Sequence, residues 1–150
     1  MADATHSDYS EQMLVCIQNC QDCHRACLQT LTYCMTQGGR HATPGHLRLL
    51  MDCADICGTS AAFMLRASDL HAHTCAACAA VCRACAEDCA QMSDDSRMGA
   101  LADTCRHCAE SCEAMAAGTG ATGAGPARAA AAKPRGPQRR GAVMTRRKTE

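Results

Sequence analysis

An all-α fold, an antiparallel four-helix bundle with a cysteine-lined interior and a disordered C-terminal tail, is predicted by three features of the sequence. Cysteine and apolar residues recur three and four apart through four segments of roughly 20 to 30 residues each. Short breaks of polar, Gly or Pro residues separate those segments. No segment alternates as a strand would.

The 150 residues suit one compact domain. Net charge is zero, yet residues 1–115 carry 7 Lys/Arg against 14 Asp/Glu, and residues 116–150 carry 8 against 1. An acidic bundle domain, 1–115, is therefore expected to precede a basic tail, 116–150.

The first helix is expected over residues 7–37, a periodic stretch free of Pro and Gly that stops at Gly38 and Gly39. Thr43 as N-cap and Pro44 at the first helical position open the second, which runs to about Ala67. Ser68 and Asp69 offer a cap for the third, through CAACAAVCRACAEDC to about Met92. After the polar break at residues 93–96, the fourth runs from about Asp95 to Met115. Short connections make consecutive helices antiparallel neighbours.

From residue 116 the chain turns to Ala, Gly, Pro and Arg without periodicity, a mixture that buries too little apolar surface to offset its ordering entropy. The tail contains GTGATG, residues 118–123, but a dinucleotide-binding reading of that motif needs a preceding strand and a βαβ unit, and the sequence offers neither. Its basic residues, Arg139, Arg140, Arg146, Arg147 and Lys148, suit a solubilising role. No nucleic-acid recognition fold accompanies them, and the chain has only three aromatic residues, Tyr9, Tyr33 and Phe63, so no nucleic-acid partner is expected.

Cysteine fills 15 of 150 positions, a density typical of disulfide scaffolds or metal-binding proteins. The start, MADATHSDYSEQ, has no basic region followed by an apolar run and no twin arginine, so the expected compartment is the cytosol, where thiols stay reduced. No run approaches the roughly 20 apolar residues that span a bilayer. The odd cysteine count also prevents complete internal pairing.

At about 100° per residue, Cys16, Cys20, Cys23, Cys27 and Cys34 fall on one line along the first helix. Cys53 and Cys57 do so on the second, with His46, Ser60 and Met64 extending their line. Cys75, Cys78, Cys82, Cys85 and Cys89 form the line on the third, and Cys105, Cys108 and Cys112 on the fourth, preceded by Met98 and Leu101. In a bundle these lines are the inward positions, so all fifteen thiols are expected to face one lumen.

Cysteine often serves as a small buried hydrophobe, but residues 1–115 hold only 14 Leu, Ile, Val and Phe, fewer than the cysteines. A core of small thiols leaves voids, which implies a filling. Thiolates select Cu(I), Zn(II) and iron–sulfur clusters. The loop motif C-x2-C-x2-C-x3-C-P of an iron–sulfur site is absent, as are the Glu-x-x-His pairs of a di-iron bundle.

Zinc takes four tetrahedral ligands, whereas rows of thiolates three and four apart can clasp an ion content with two or three, namely Cu(I). With each thiolate bridging two ions, fifteen cysteines would carry on the order of fifteen Cu(I), and the charges would cancel.

The stretches CIQNCQDCHRAC, CADIC, CAACAAVCRACAEDC and CRHCAESCEAM, spanning about residues 10–115, resemble the cytosolic branch of the bacterial copper storage protein family. The resemblance implies a four-helix bundle loading many Cu(I) ions along a cysteine-lined interior, assembled as a homotetramer, with His or Met near the open end where metal enters. A copper chaperone is a candidate delivery partner. Thr30, His46, Met98 and Leu101 stand where members often have Cys, so capacity is expected to be lower near that end.

His46, Met92 and Met98 gather with Cys34 at one end of the antiparallel bundle, where they either plug the core or pass metal, and the resemblance favours the second. Met13, Met64, His71 and Met115 at the other end are expected to be plugs. His24 and His107 are expected to be surface residues, and Asp55 to face away from the cysteine line. The expected function is storage, buffering and detoxification of Cu(I), without catalysis. The alternatives are a thiolate sink for zinc or cadmium, and a redox or sulfur-carrier protein. The last would need one or two cysteines of distinct reactivity.

Overall fold

The computed structural model describes residues 9–118. They form four α-helices, α1 (Glu11–Gln37), α2 (Pro44–Leu65), α3 (His71–Ala90) and α4 (Ser96–Ala117), with a 3₁₀ turn, Gly39–Ala42, between α1 and α2. No strand occurs among the described residues. α4 runs two residues into the expected tail, to Ala117, which corrects its start at 116; the rest of that tail, with the GTGATG motif beyond Gly118 and the basic cluster, lies outside the described residues.

α1 begins four residues later than its periodicity suggests, because the Ser10 side chain accepts the Met13 N–H at 3.1 Å and fixes the cap there. α1 ends at Gly38 and Gly39, whose φ of 68° and 56° lie in the left-handed region that glycine tolerates. The 3₁₀ turn follows, an element the periodicity did not indicate. Thr43 precedes α2 in extended geometry, but its side chain makes no capping bond; Pro44 supplies the helical φ instead.

The expected cap of α3 is corrected. Ser68 closes the α2–α3 turn, its Oγ accepting the Leu70 N–H at 3.2 Å and its carbonyl the His71 N–H at 3.1 Å, and the helix starts at His71. α3 also ends at Ala90 rather than Met92, where i→i+3 bonds from Gln91 to Asp88 and from Met92 to Cys89 replace the helical pattern. Asp95, where α4 was expected to begin, stands one residue before it as its cap, its Oδ1 accepting from Arg97 N at 2.9 Å and from Met98 N at 3.4 Å.

Each helix packs against two neighbours, in the cyclic order α1–α2–α3–α4. Cross-helix contacts run in opposite chain directions: Cys34 meets His46 while Cys23 meets Cys53, and Cys34 meets Met98 while Cys16 meets Cys112. Neighbours are therefore antiparallel, and the fold is the four-helix bundle expected. Polar ties fix the register, among them Tyr9 Oη donating to the Leu65 carbonyl (2.6 Å) and the Arg83–Glu113 ion pair between α3 and α4.

The core holds few large side chains. Leu50, Met64 and Met98 are fully buried beside all fifteen cysteines, with Ile17 and Leu101 nearly so. The remaining inner positions are mostly alanine, such as Ala54, Ala79, Ala102 and Ala109. Helices at a separation set by thiols and methyl groups bring sulfur atoms into direct contact.

Candidate metal site

Every cysteine is unpaired and fully buried. The sulfurs touch mainly across helices. An unbroken path runs Cys16–Cys112–Cys20–Cys108–Cys57–Cys82–Cys53–Cys23–Cys105, with steps of 3.4 to 3.8 Å. Cys78 branches from it, 3.6 Å from Cys57 and 3.8 Å from Cys82. Among the touching sulfurs only the Cys78–Cys82 step lies within one helix; the other contacts join different helices.

Four sets of four sulfurs lie within 4.8 Å of one another: Cys20/Cys78/Cys108/Cys112, Cys23/Cys53/Cys57/Cys82, Cys23/Cys27/Cys53/Cys105 and Cys57/Cys78/Cys82/Cys108. Each contains one i, i+4 pair and two sulfurs from two further helices. Cys16, Cys75 and Cys112 form a set of three. The sets overlap heavily, so they are a shared network rather than separate pockets. Cys34, Cys85 and Cys89, buried like the rest, stand outside these sets.

Ionisation is uneven within the network. Hydrogen bonds from Cys105 hold the Cys23, Cys53 and Cys85 thiols below the ordinary range, and a bond from Cys108 does so for Cys78. Cys105 is pushed up by its bonds to Cys23, Cys27, Cys53 and Cys85 and by burial, and Cys108 by its bonds to Cys112, Cys20, Cys23 and Cys57 and by burial. Each four-sulfur set contains at least one of the lowered thiols, a first anionic ligand. Cys75 is pushed up to about 11: the Cys112 thiol works downward, but Cys16 and burial outweigh it.

At one end Cys34 Sγ lies 3.4 Å from His46 Nε2 and 3.8 Å from Met98 Sδ. His46 is buried, and its Nδ1 lies 2.5 Å from Asp88 Oδ2. Since a carboxylate only accepts, Nδ1 carries the hydrogen toward Asp88, and Nε2 faces the Cys34 thiol. Burial pushes the Cys34 thiol up. Met92 is buried at the same end.

Asp95 ties this end together, accepting from Tyr33 Oη at 2.6 Å and from His41 Nε2 at 3.0 Å, and the Tyr33 bond foremost lowers its carboxyl to about 2. Sequence reasoning treated Asp95 only as a helix start; its bonds to Tyr33 and His41 join residues more than fifty positions apart, which no local signal reveals.

At the other end Cys75 touches Met64 Sδ at 3.8 Å and Ser60 Oγ at 3.4 Å. Met64 and Met115 are buried, while Met13 and His71 are half-buried. His107 and Asp55 are exposed, as expected. His24 is not a free surface residue: it is half-buried between α1 and α2, its Nδ1 donating to the Ala54 carbonyl at 2.7 Å. Its ring lies so close to Gly58 that a Cβ there would sit 3.1 Å away.

The donor set is chemically consistent: soft thiols throughout, thioether and imidazole only at the ends, and no unbonded buried side-chain nitrogen or oxygen among the described residues. Tetrahedral coordination with bonds near 2.3 Å places sulfurs about 3.8 Å apart, and trigonal coordination about 4.0 Å. The touching sulfurs can reach either arrangement with small movements.

Comparison with known proteins agrees with this architecture. A structure of the Nmul_A1745 protein from Nitrosospira multiformis is 42% identical, with a TM-score of 0.68, covering 71% of this chain and 96% of that one. A Cu(I)-bound copper storage protein, BsCsp3, of Bacillus subtilis is 36% identical, with a TM-score of 0.66 over 71% of this chain and 99% of that one. A cytosolic copper storage protein from Streptomyces lividans, in a structure described as having five coppers, is 30% identical, with a TM-score of 0.63 over 71% and 93%. The sequence profile of the family described as copper storage protein matches residues 9–117. With that match across its whole helical body, the chain belongs to the copper storage protein family.

Proposed function

We propose that this chain stores Cu(I) in the cytosol, binding many ions per chain through its fifteen core cysteines, buffering and detoxifying the metal and catalysing no reaction. The observation that carries this reading is the unbroken path of nine sulfurs, in which each thiol between the end members Cys16 and Cys105 touches two or more others that can share an ion with it.

Charge favours a monovalent cargo. Each Cu(I) that replaces a thiol proton leaves the core's charge unchanged, whereas each zinc in a four-thiolate set buries a net charge of −2. Two-coordinate and three-coordinate ions can also share sulfurs, which lets one path hold on the order of one ion per cysteine. The lowered thiols, such as Cys23 and Cys78, take the first ions, and each binding event releases a proton.

His46 and Met98, which touch Cys34, and Met92, buried at the same end of the bundle, pass the metal inward; their soft or borderline donors support that role. A copper chaperone delivers there. A cytosolic location accords with reduced thiols and with the cytosolic relative from Streptomyces lividans. No helix of the described residues is long and apolar enough to cross a membrane. Assembly as a homotetramer is supported by Leu14, Leu28 and Met35 on α1 and Met51 and Leu65 on α2, all large, apolar and exposed.

A thiolate sink for zinc or cadmium is the second reading, and the four-sulfur sets favour it. Anaerobic titration of the reduced protein with Cu(I) against a competing chelator, with metal counted per chain, decides between them. A capacity near one Cu(I) per cysteine supports storage. Saturation by copper at about two ions per chain, with tighter zinc binding, would favour the sink.

A further inference from the structure

The α1 and α4 lines each lack sulfur at one level. Thr30 lies three residues after Cys27 and four before Cys34, and Leu101 three after Met98 and four before Cys105. At that level a groove of about 500 Å³ opens between the two helices. Thr30 and Leu101 form its floor, Ala26 and Ala100 its walls, and Arg97 and Thr104 its rim.

Two features of the groove are arranged for a ligand. The Arg97 guanidinium stacks 4.5 Å over the Tyr33 ring, itself held by its bond to Asp95. Among the described residues Arg97 makes no ion pair and its side-chain N–H groups make no hydrogen bond. Stacking occupies the face of a guanidinium and leaves its in-plane donors directed outward, the geometry that grips a carboxylate with two parallel bonds. Thr30 is 4% exposed, and its hydroxyl forms no hydrogen bond among the described residues. The hydroxyls of Thr36 and Thr104, by contrast, bond to carbonyls four residues earlier at 3.0 and 3.1 Å. Since no buried side-chain oxygen among the described residues lacks a partner, the unbonded Thr30 hydroxyl keeps access to the groove, where it is available to a bound molecule.

We propose that the α1/α4 groove binds a small carboxylate-bearing thiol carrying Cu(I), its carboxylate on Arg97 and its sulfur above Thr30 and Leu101, where the protein's own lines lack one. The proposal rests on the copper-store reading. The carrier sulfur then stands between the Cys34–Met98 contact and the Cys27/Cys105 set. Transfer is ligand exchange: a copper–sulfur bond to the carrier breaks, one to a protein cysteine forms, and the displaced thiol proton passes to the departing carrier thiolate. No electron changes hands.

The test compares copper uptake by the reduced full chain from the Cu(I)–glutathione complex and from Cu(I) in acetonitrile, a carrier with neither carboxylate nor thiol. Arg97→Gln removes the grip, and Ala100→Met fills the groove while leaving Arg97 in place. Both variants should slow initial uptake from the glutathione complex by roughly tenfold, the effect of one lost charge-assisted pair. Uptake from acetonitrile and the final capacity should match the native chain. Equal slowing with both carriers, or slowing with neither, would overturn the proposal. A native chain that loaded from neither carrier would instead sink the copper-store reading, and this proposal with it.

Discussion

Replacing Cys23 by Ser separates the two ways in which the core can hold metal. Cys23 belongs to two of the four-sulfur sets, Cys23/Cys53/Cys57/Cys82 and Cys23/Cys27/Cys53/Cys105. In the intact chain two sets without a common sulfur can fill together, for instance Cys20/Cys78/Cys108/Cys112 with Cys23/Cys27/Cys53/Cys105, and either remaining set reuses their sulfurs. An ion demanding four private thiolates therefore saturates at two per chain.

Without Cys23 the surviving sets are Cys20/Cys78/Cys108/Cys112 and Cys57/Cys78/Cys82/Cys108, which share Cys78 and Cys108, so only one can fill. Zinc capacity should halve. Shared Cu(I) loses only one sulfur of fifteen, so copper capacity should fall by about one ion in fifteen.

Cys57→Ser is the matched control. It leaves Cys20/Cys78/Cys108/Cys112 and Cys23/Cys27/Cys53/Cys105 whole, and zinc should stay at two. Serine preserves the shape and replaces a soft donor by a hard one. The assay is anaerobic titration of each reduced variant with each metal, followed by desalting and metal counting. Copper capacity that halved in Cys23→Ser and held in Cys57→Ser would refute sharing of sulfurs between ions.

Three further outcomes are expected. Because Cys75 is raised from 9.0 to about 11 in the folded chain, folding favours its thiol form. That contribution is full below pH 9 and lost as pH rises toward 11; the metal-free protein's Tm should fall across this window while the copper-loaded protein's holds, and a flat metal-free profile would contradict the assignment. Leu50→Ala deletes a fully buried side chain and should destabilise the metal-free bundle by about 2–5 kcal/mol in denaturant unfolding, whereas a loss below about 1 kcal/mol would mean that the site is not packed. Met98→Leu keeps the volume but removes the thioether beside Cys34, so stopped-flow uptake should slow while capacity stays within about one ion; an unchanged rate would make Met98 a plug.

The helices and their inward faces were legible because cysteine at three- and four-residue spacing is a periodic signal as strong as leucine. Tertiary register was not. Which sulfurs meet depends on how α1 and α4 slide past each other, and nothing local in CIQNCQDC or CRHCAESC encodes that Cys16 and Cys20 both touch Cys112. For the same reason Cys85 and Cys89 looked equivalent to Cys78 and Cys82 and are not.

The starts of α1 and α3 were misplaced because side-chain chemistry decided them: Ser10 captured the Met13 N–H, and Ser68 closed a turn instead of capping a helix. His24 beside Gly58 is a tertiary lock between residues 34 positions apart, a pairing that a single sequence does not show.

Because every four-sulfur set draws on three helices, filling it staples the bundle from inside, and an empty copy lacks those staples. Occupancy and lifetime are thereby coupled in the cell. Quality-control proteases, which act on opened chains, would clear vacant copies ahead of laden ones, and the standing pool of this protein would track the copper supply even at a constant rate of synthesis.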